Sequence, residues 1–291
     1  MGVSYAAGRL RRIPQRTVSG PALVTARRTV FTLPVLALAL SSALGQPLAA
    51  GPRVAGLGGA ATAVSVDRHA LGNPASPATT QGVGLALSSS RSFGLSELDH
   101  VSAALALATK IGSAAAVVES FGFEQFRRQT MHVVVTPVTF FQSLTVGARI
   151  SYTRLVIRDF GSAGYARAAL GLRIRLSPTA TVGMAIHNLM RSRDDAADAI
   201  RRIEFGSRLL ISDDLAVNAV ISKDAGFNPS AHLACEYVLL GPLVLRAAIA
   251  TGPSAVSFGI GVRHGIVEAG VASRRHQQLG WSRSVGFAIG R

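Results

Sequence analysis

The side chains best suited to binding a ligand are arginines that recur at alternate positions of apolar segments. A guanidinium group can hold a carboxylate or sulfate through two parallel hydrogen bonds. The pattern places seven arginines on one face, together with Glu204, Glu236 and Glu268: Arg149, Arg167, Arg173, Arg175, Arg208, Arg246 and Arg263. The candidate ligand contacts are Arg149, Arg167, Arg173, Arg175, Arg208, Glu236 and Arg263.

A structural role for these arginines is the alternative. They could pair with the glutamates and with backbone carbonyls of an internal segment, and Arg173 and Arg175 could hold that segment through Asp67 or a glutamate. The position of these arginines on one face of the strands is compatible with both roles, an anionic ligand site or a set of structural ion pairs.

Other chemistries find less support. His187 next to Asn188 could suggest a hydrolase, but no acid that would orient a base can be identified, so we expect no enzymatic activity. Gly56, Gly58 and Gly59 lack the preceding strand and the Lys-Ser/Thr of a phosphate loop. With one cysteine and dispersed histidines, neither a metal nor another cofactor is expected.

The hydropathy of the chain favours membrane strands over membrane helices. Of the 291 residues, 48% are hydrophobic and 15% charged, and the mean hydropathy is +0.35. The longest mainly apolar stretch, residues 30–40, is shorter than the roughly 20 residues that a spanning helix needs. Apolar residues at alternate positions of a closed barrel reconcile these two facts.

Residues 1–50 resemble a secretory signal peptide with an extended or over-long start. Arg27 and Arg28 precede the apolar stretch and small residues follow it, which places cleavage between Gly45 and Gly51. Removal of residues 1–50 takes away six of the 30 basic residues. The mature chain then has 24 basic and 15 acidic residues. The remaining arginines are scattered without interleaved aromatic residues, so nucleic acid is not an expected partner.

From Gly82 onward, alternating segments separated by turn residues predict 14 strands. Connections from even to odd strands are mostly short, and those from odd to even strands, such as 91–100 and 121–128, are longer, as in bacterial outer-membrane barrels. A soluble β-sandwich or solenoid is the alternative. The predicted strands are 82–90, 100–109, 111–120, 129–138, 143–157, 163–176, 179–188, 201–211, 214–222, 229–239, 242–251, 255–264, 265–274 and 280–290.

Two stretches carry a family resemblance. Residues 51–64 read GPRVAGLGGAATAV and are followed by Leu71-Gly-Asn-Pro-Ala75, which resembles the mature start of FadL-like outer-membrane transport proteins, in particular the PorV/PorQ-type branch. The C-terminal residues 278–287, QLGWSRSVGF, are similar to the last hairpin of that branch. Asp67 alone stands where the family usually has two acidic residues. Taken by itself, Asn73-Pro74 could be an ordinary loop turn.

The resemblance implies an all-β, 14-stranded antiparallel transmembrane barrel, residues 79–291, around an N-terminal hatch, residues 51–78. The hatch motif comprises Gly56, Gly58, Gly59, Asp67, Asn73, Pro74 and Ala75. A Gram-negative outer membrane and its lipid are the expected surroundings. The expected activity is admission of hydrophobic or anionic amphipathic small molecules past the hatch. The alternative is a non-transporting membrane anchor or shuttle for protein partners of a secretion or surface-attachment system.

Overall fold

The structure, a computed structural model, describes Met1 and residues 51–137, 143–189 and 200–290. The predicted signal peptide, residues 1–50, lies outside the described residues except for Met1. Among the described residues, no helix is long and apolar enough to cross a membrane.

Fourteen antiparallel strands form a closed barrel in which each strand pairs with its neighbours in sequence and β1 pairs with β14. This confirms the predicted fold class. A short helix, α1 (Gly51–Gly56), precedes the barrel, and a 3₁₀ turn, Ser96–Leu98, follows β1. The strands are β1 Gly82–Arg91, β2 Asp99–Thr109, β3 Gly112–Gly122, β4 Phe126–Pro137, β5 Leu144–Ile157, β6 Gly161–Arg175, β7 Ala180–His187, β8 Arg202–Leu210, β9 Leu215–Asp224, β10 Ser230–Leu239, β11 Leu243–Ala250, β12 Ala255–His264, β13 Val267–His276 and β14 Gly280–Ile289.

The two faces of the wall follow the predicted alternation. On β5, Ile150 and Tyr152 are 66% and 54% exposed, whereas Ser151 and Thr153 between and after them are buried. Successive side chains of a strand point to opposite faces, so a period of two in hydropathy puts the apolar residues outside. A continuous apolar exterior of this kind suits hydrocarbon.

Two connections at one end of the barrel are shorter than predicted. We call the end of the barrel with the odd-to-even connections the outer end, and the opposite one the inner end. β3 and β4 continue through most of residues 121–128, predicted as an outer loop, and leave only 123–125 as a turn. The β5–β6 turn, 158–160, is equally short. The strands therefore project at the outer end where loops were expected. The β4–β5 and β7–β8 connections lie largely outside the described residues.

Residues 51–78, the predicted hatch, are mostly buried within the barrel. Leu57, Ala75 and Thr79 are fully buried, and α1 contacts β11, β12, β13, β14 and β1. One apolar cluster joins hatch residues such as Leu57 and Val64 to Val220, Ala234 and Ala248 of the wall. A second joins Ala70 and Ala78 to β1, β2, β3, β4 and β14.

Small residues of the wall make room for the hatch. A Cβ atom added to Gly147 would overlap the backbone of Pro74 and Ala75, and one added to Gly171 would overlap Asn73 and Ala75. These two glycines of β5 and β6 let the hatch backbone approach the wall closely. The barrel interior is therefore a packed plug rather than an open pore.

Candidate functional site

The turn at Asn73-Pro74-Ala75 fastens the hatch to β4, β5 and β6. The Asn73 amide nitrogen donates to the carbonyls of Thr62, at 2.7 Å, and Leu172, at 3.1 Å, and its oxygen accepts from the Ala75 N–H at 2.9 Å. Thr136 donates to the Pro74 carbonyl at 2.7 Å. This part of the predicted hatch motif is thus a buried turn held by hydrogen bonds to the hatch and to the wall.

Asp67 stabilises the hatch from within. Its carboxylate accepts from the N–H groups of His69, at 3.2 Å, and Gly72, at 2.7 Å. This carboxylate thus closes a turn of its own segment, and the hypothesis that Arg173 and Arg175 hold the hatch through Asp67 or a glutamate stays a prediction. Burial lowers the pKa of the neighbouring His69, against the opposite effects of Asp67 and Glu268.

A network of ion pairs, which we call the tie network, joins the hatch to the inner half of the wall. Arg53 of α1 donates to both oxygens of Glu236, at 3.1 and 3.0 Å. Arg208 and Arg246 donate to the same carboxylate at 3.0 and 2.8 Å. Glu268 meets three arginines, at distances of 3.3, 3.3 and 3.6 Å: Arg68 of the hatch, Arg246 and Arg263.

The candidate ligand contacts separate into groups. The tie network unites Arg208, Glu236 and Arg263, which supports the structural alternative for these three. Arg149 and Arg167 lie elsewhere, beside a cavity at the outer end. Arg173 contacts Thr145 at 3.4 Å, and Arg175 is exposed at the end of β6. Binding of a ligand by any of them stays a prediction.

The hatch arginines of the tie network could not be identified from the pattern of the wall. Arg53 and Arg68 find partners 183 and 200 residues away in sequence. Local alternation says which wall residues face inward, but it carries no information about which hatch residue lies opposite them. Gly56 and Gly58 of the motif serve close packing, against Gly259 and Ala248 respectively.

Two cavities at the outer end rest on the hatch. The first, about 120 Å³, has mostly apolar surface, and we call it the apolar cavity. Its apolar residues are Ala55, Phe93, Leu98, Phe121, Pro253 and Ala272, and Arg274, His276 and Arg283 are among its polar ones. The cationic cavity, about 250 Å³, contains four arginines and two glutamates: Arg128, Arg149, Arg167, Arg202, Glu119 and Glu204. Phe121 lines both.

A third cavity, about 280 Å³, lies at the inner end beside Arg53, Arg68, Arg208 and Asp213. The hatch therefore stands between the two outer cavities and the inner one. Arg149 closes part of this boundary, because it donates to the Leu71 carbonyl at 2.6 Å and to the Gly72 carbonyl at 3.3 Å.

Polar residues of β2, β3, β4 and β5 form a hydrogen-bonded chain in the cationic cavity. His100 and His132 each place Nε2 on an oxygen of Glu119, the first at 2.9 Å and the second in a shorter contact. Nδ1 of His132 lies 2.7 Å from Ser151 Oγ. The residues are widely separated in sequence, so only the pairing of neighbouring strands brings them together. No cluster in the described ranges has the arrangement of a metal site.

Comparisons with known proteins show which solved structures have a similar fold. No family model matches the sequence, and no curated protein is significantly similar to it. The monoaromatic hydrocarbon channel CymD is similar in structure, with a TM-score of 0.60 and 13% identity over 83% of this chain and 97% of its own. The Pseudomonas putida toluene transporter TodX gives 0.54 and 13%, over 83% and 98%. Acinetobacter baumannii Omp33 gives 0.51 and 10%, over 72% and 98%.

The fold defined by the barrel, its apolar exterior and these neighbours is that of bacterial outer-membrane channels. It agrees with the predicted location in an outer membrane. At the level of fold it also agrees with the FadL-like resemblance, whereas the PorV/PorQ-type branch finds no such support.

Proposed function

We propose that the chain is an outer-membrane channel that admits hydrophobic or anionic amphipathic small molecules past its hatch. The observation that carries the proposal is the pair of outer cavities resting on hatch residues, one apolar and one cationic, with Phe121 in the lining of both. The structurally similar CymD and TodX, named as channels or transporters of monoaromatic hydrocarbons and toluene, support the apolar part of this substrate class. Passage of such a molecule needs no chemical step.

The two cavities fit the two ends of an amphipathic molecule. Burial of an apolar group in the first contributes roughly 25 cal/mol per Å² of area removed from water. In the second, Glu119 already accepts from two histidines, and Glu204 accepts from Thr62 and pairs with Arg202. With four arginines against two glutamates the cavity keeps a net positive charge, which favours an anionic head group.

Uptake by liposomes tests the proposal. The purified full chain is reconstituted, and the entry of octanesulfonate, which stays ionised, is compared with that of an uncharged sugar. We expect Ala272→Phe, which fills the apolar cavity, to slow sulfonate entry, and Val271→Phe, on the outer face of the same strand, to leave it unchanged. Entry no faster than into protein-free liposomes would contradict the proposal.

The anchor or shuttle role has less support. A docking platform for proteins needs exposed surface beyond the membrane, and the β3–β4 and β5–β6 connections at the outer end are tight turns. Co-purification of a stoichiometric partner protein from outer membranes, together with absent uptake, would favour this role instead.

A further inference from the structure

Four side chains of the cationic cavity have the arrangement of an acyl-transfer site. His132 of β4, Ser151 of β5 and Arg167 of β6 occupy one row across three strands, because His132 pairs with Ser151 and Ser151 pairs with Arg167. Glu119 of β3 contacts His132 from the far side of the imidazole. All four side chains line the same cavity. A serine thus stands between a base and a cation, and the base is oriented by a carboxylate.

Glu119 determines which nitrogen of His132 is the base. An ionised carboxylate only accepts hydrogen bonds, so the Nε2 atoms of both His100 and His132 must carry the protons that they share with it. In the neutral imidazole, Nδ1 of His132 then carries no proton and accepts a hydrogen bond. The hydroxyl of Ser151, whose Oγ lies 2.7 Å away, donates to it. This leaves the lone pairs of Ser151 Oγ free to attack.

Arg167 lies beside Ser151 on the neighbouring strand and in the same cavity, where its guanidinium can face the negative charge of an acyl-transfer reaction. One of its terminal nitrogens donates to Thr153 Oγ1 at 2.8 Å. Its Nε is buried and has no hydrogen-bond partner within the part of the chain that the structure describes. A buried donor without a partner is costly, and an oxyanion formed at the neighbouring Ser151 would satisfy it.

We propose that the channel is also an esterase, in which Ser151 is the nucleophile, His132 the general base and Arg167 the oxyanion donor, with Glu119 and His100 as positioning residues. The inference goes beyond transport and does not depend on it, and it departs from the expectation of no enzymatic activity because the structure brings Glu119 to His132. The cavity, about 250 Å³, is smaller than the roughly 300–1,000 Å³ of sites for drug-sized ligands. Its substrates are therefore short carboxylic esters, and its arginines favour esters that carry a negative charge.

The reaction proceeds through an acyl-serine. Ser151 Oγ bonds to the carbonyl carbon of the ester while its proton moves to Nδ1 of His132, and the carbonyl oxygen takes the negative charge beside Arg167. The bond to the alkoxide then breaks, and His132 gives the proton to the leaving oxygen, which departs as an alcohol. A water molecule, deprotonated by His132, cleaves the acyl-serine to release the acid and restore the hydroxyl.

A fluorophosphonate probe tests the nucleophile directly. The folded full chain in detergent is treated with the probe, and peptide mass spectrometry locates any adduct. We expect one adduct on Ser151, lost in Ser151→Ala and retained in Ser230→Ala. Ser230 is a matched control, since it is buried and lies 3.2 Å from Nε2 of His232, whose other nitrogen meets the Gly58 carbonyl rather than a carboxylate.

Turnover of p-nitrophenyl acetate tests the other roles. A general base typically contributes about 10²–10⁴-fold, so His132→Gln should slow acylation by at least about 100-fold. Glu119→Gln should slow it and change its pH profile, which a purely structural role would not do. Heat-modified migration on a gel establishes that each variant is a folded barrel. Absence of an adduct on Ser151 of the folded wild-type chain would overturn the proposal.

Discussion

Asn73 connects the hatch turn to the barrel wall through its amide nitrogen and closes the turn through its amide oxygen. The nitrogen spans two carbonyls, of Thr62 in the hatch and Leu172 in β6, while the oxygen closes the turn onto Ala75. Gly171 lies directly against this side chain. A buried amide is favourable only while its hydrogen bonds are made, so the turn depends on an asparagine rather than on polarity in general.

Replacing Asn73 should loosen the hatch. Asn73→Ala removes three side-chain hydrogen bonds from a buried turn, and each contributes about 0.5–1.5 kcal/mol. Asn73→Asp keeps the acceptor but places a carboxylate against the same two carbonyls, so we expect it to be at least as harmful. The measurement is the leak of small solutes through planar bilayers. An Asn73→Asp variant that leaks no more than the wild type would show that the amide donors contribute little.

At the scale of elements, the hatch and the wall are joined by charges contributed from distant strands. Glu236 of β10 accepts from Arg53 of α1, Arg208 of β8 and Arg246 of β11. The side chain of Arg246 is only 2% exposed. A buried carboxylate shared in this way is hard to replace, because its loss leaves several cations without a counter-charge.

Glu236→Gln should therefore raise the leak conductance, whereas Arg173→Gln should not. Removing one partner of a buried ion pair typically costs about 3–5 kcal/mol, and here the cost falls on the contact between α1 and the wall. Arg173 is the matched control because, among the described residues, it donates to Thr145 of the neighbouring strand rather than to the hatch. Equal leak in both variants, measured in planar bilayers, would mean that the tie network does not hold the hatch closed.

The two faces of β4 should respond differently to a new charge. Met131 points outward and is 63% exposed, and its neighbour Thr130 lines the cationic cavity opposite Glu119. An arginine on the lipid face at the bilayer midplane costs about 2–4 kcal/mol. Met131→Arg should consequently impair assembly far more than Thr130→Arg, as judged by heat-modified migration. Equal assembly of the two variants would argue against lipid contact at this face.

For the molecule as a whole, the sequence predicts the wall far better than the interior. Strand number and faces follow from alternation, which is a local property: Ile150 and Tyr152 are outside, and Ser151 and Thr153 inside, as their order requires. The resemblance further predicts a hatch over residues 51–78, and most of these residues are buried in the structure. Local pattern and resemblance thus suffice for the architecture.

The contacts inside the barrel were not predictable in the same way. Alternation says that Gly171 faces inward, but not that Asn73 and Ala75 occupy the space in front of it. It also leaves Glu119 unremarkable, since His100 and His132 meet it only after β2, β3 and β4 have paired. The contacts between interior side chains depend on the pairing register of the strands and on the path of the hatch. The sequence of a single strand determines neither.

The orientation of the barrel in the membrane can be tested with two single-cysteine variants. An even number of strands returns the C-terminus to the end where the hatch enters, so a secreted barrel inserted from the periplasm should expose its odd-to-even connections to the outside. Ala225 lies in the described β9–β10 connection at the outer end, and Asp213 lies in the β8–β9 connection at the inner end; both are exposed. In a Cys235→Ala background, which removes the single native thiol, Ala225→Cys should react with a membrane-impermeant maleimide on intact cells. Asp213→Cys should react only after the outer membrane is permeabilised, and labelling of Asp213→Cys alone on intact cells would invert the topology.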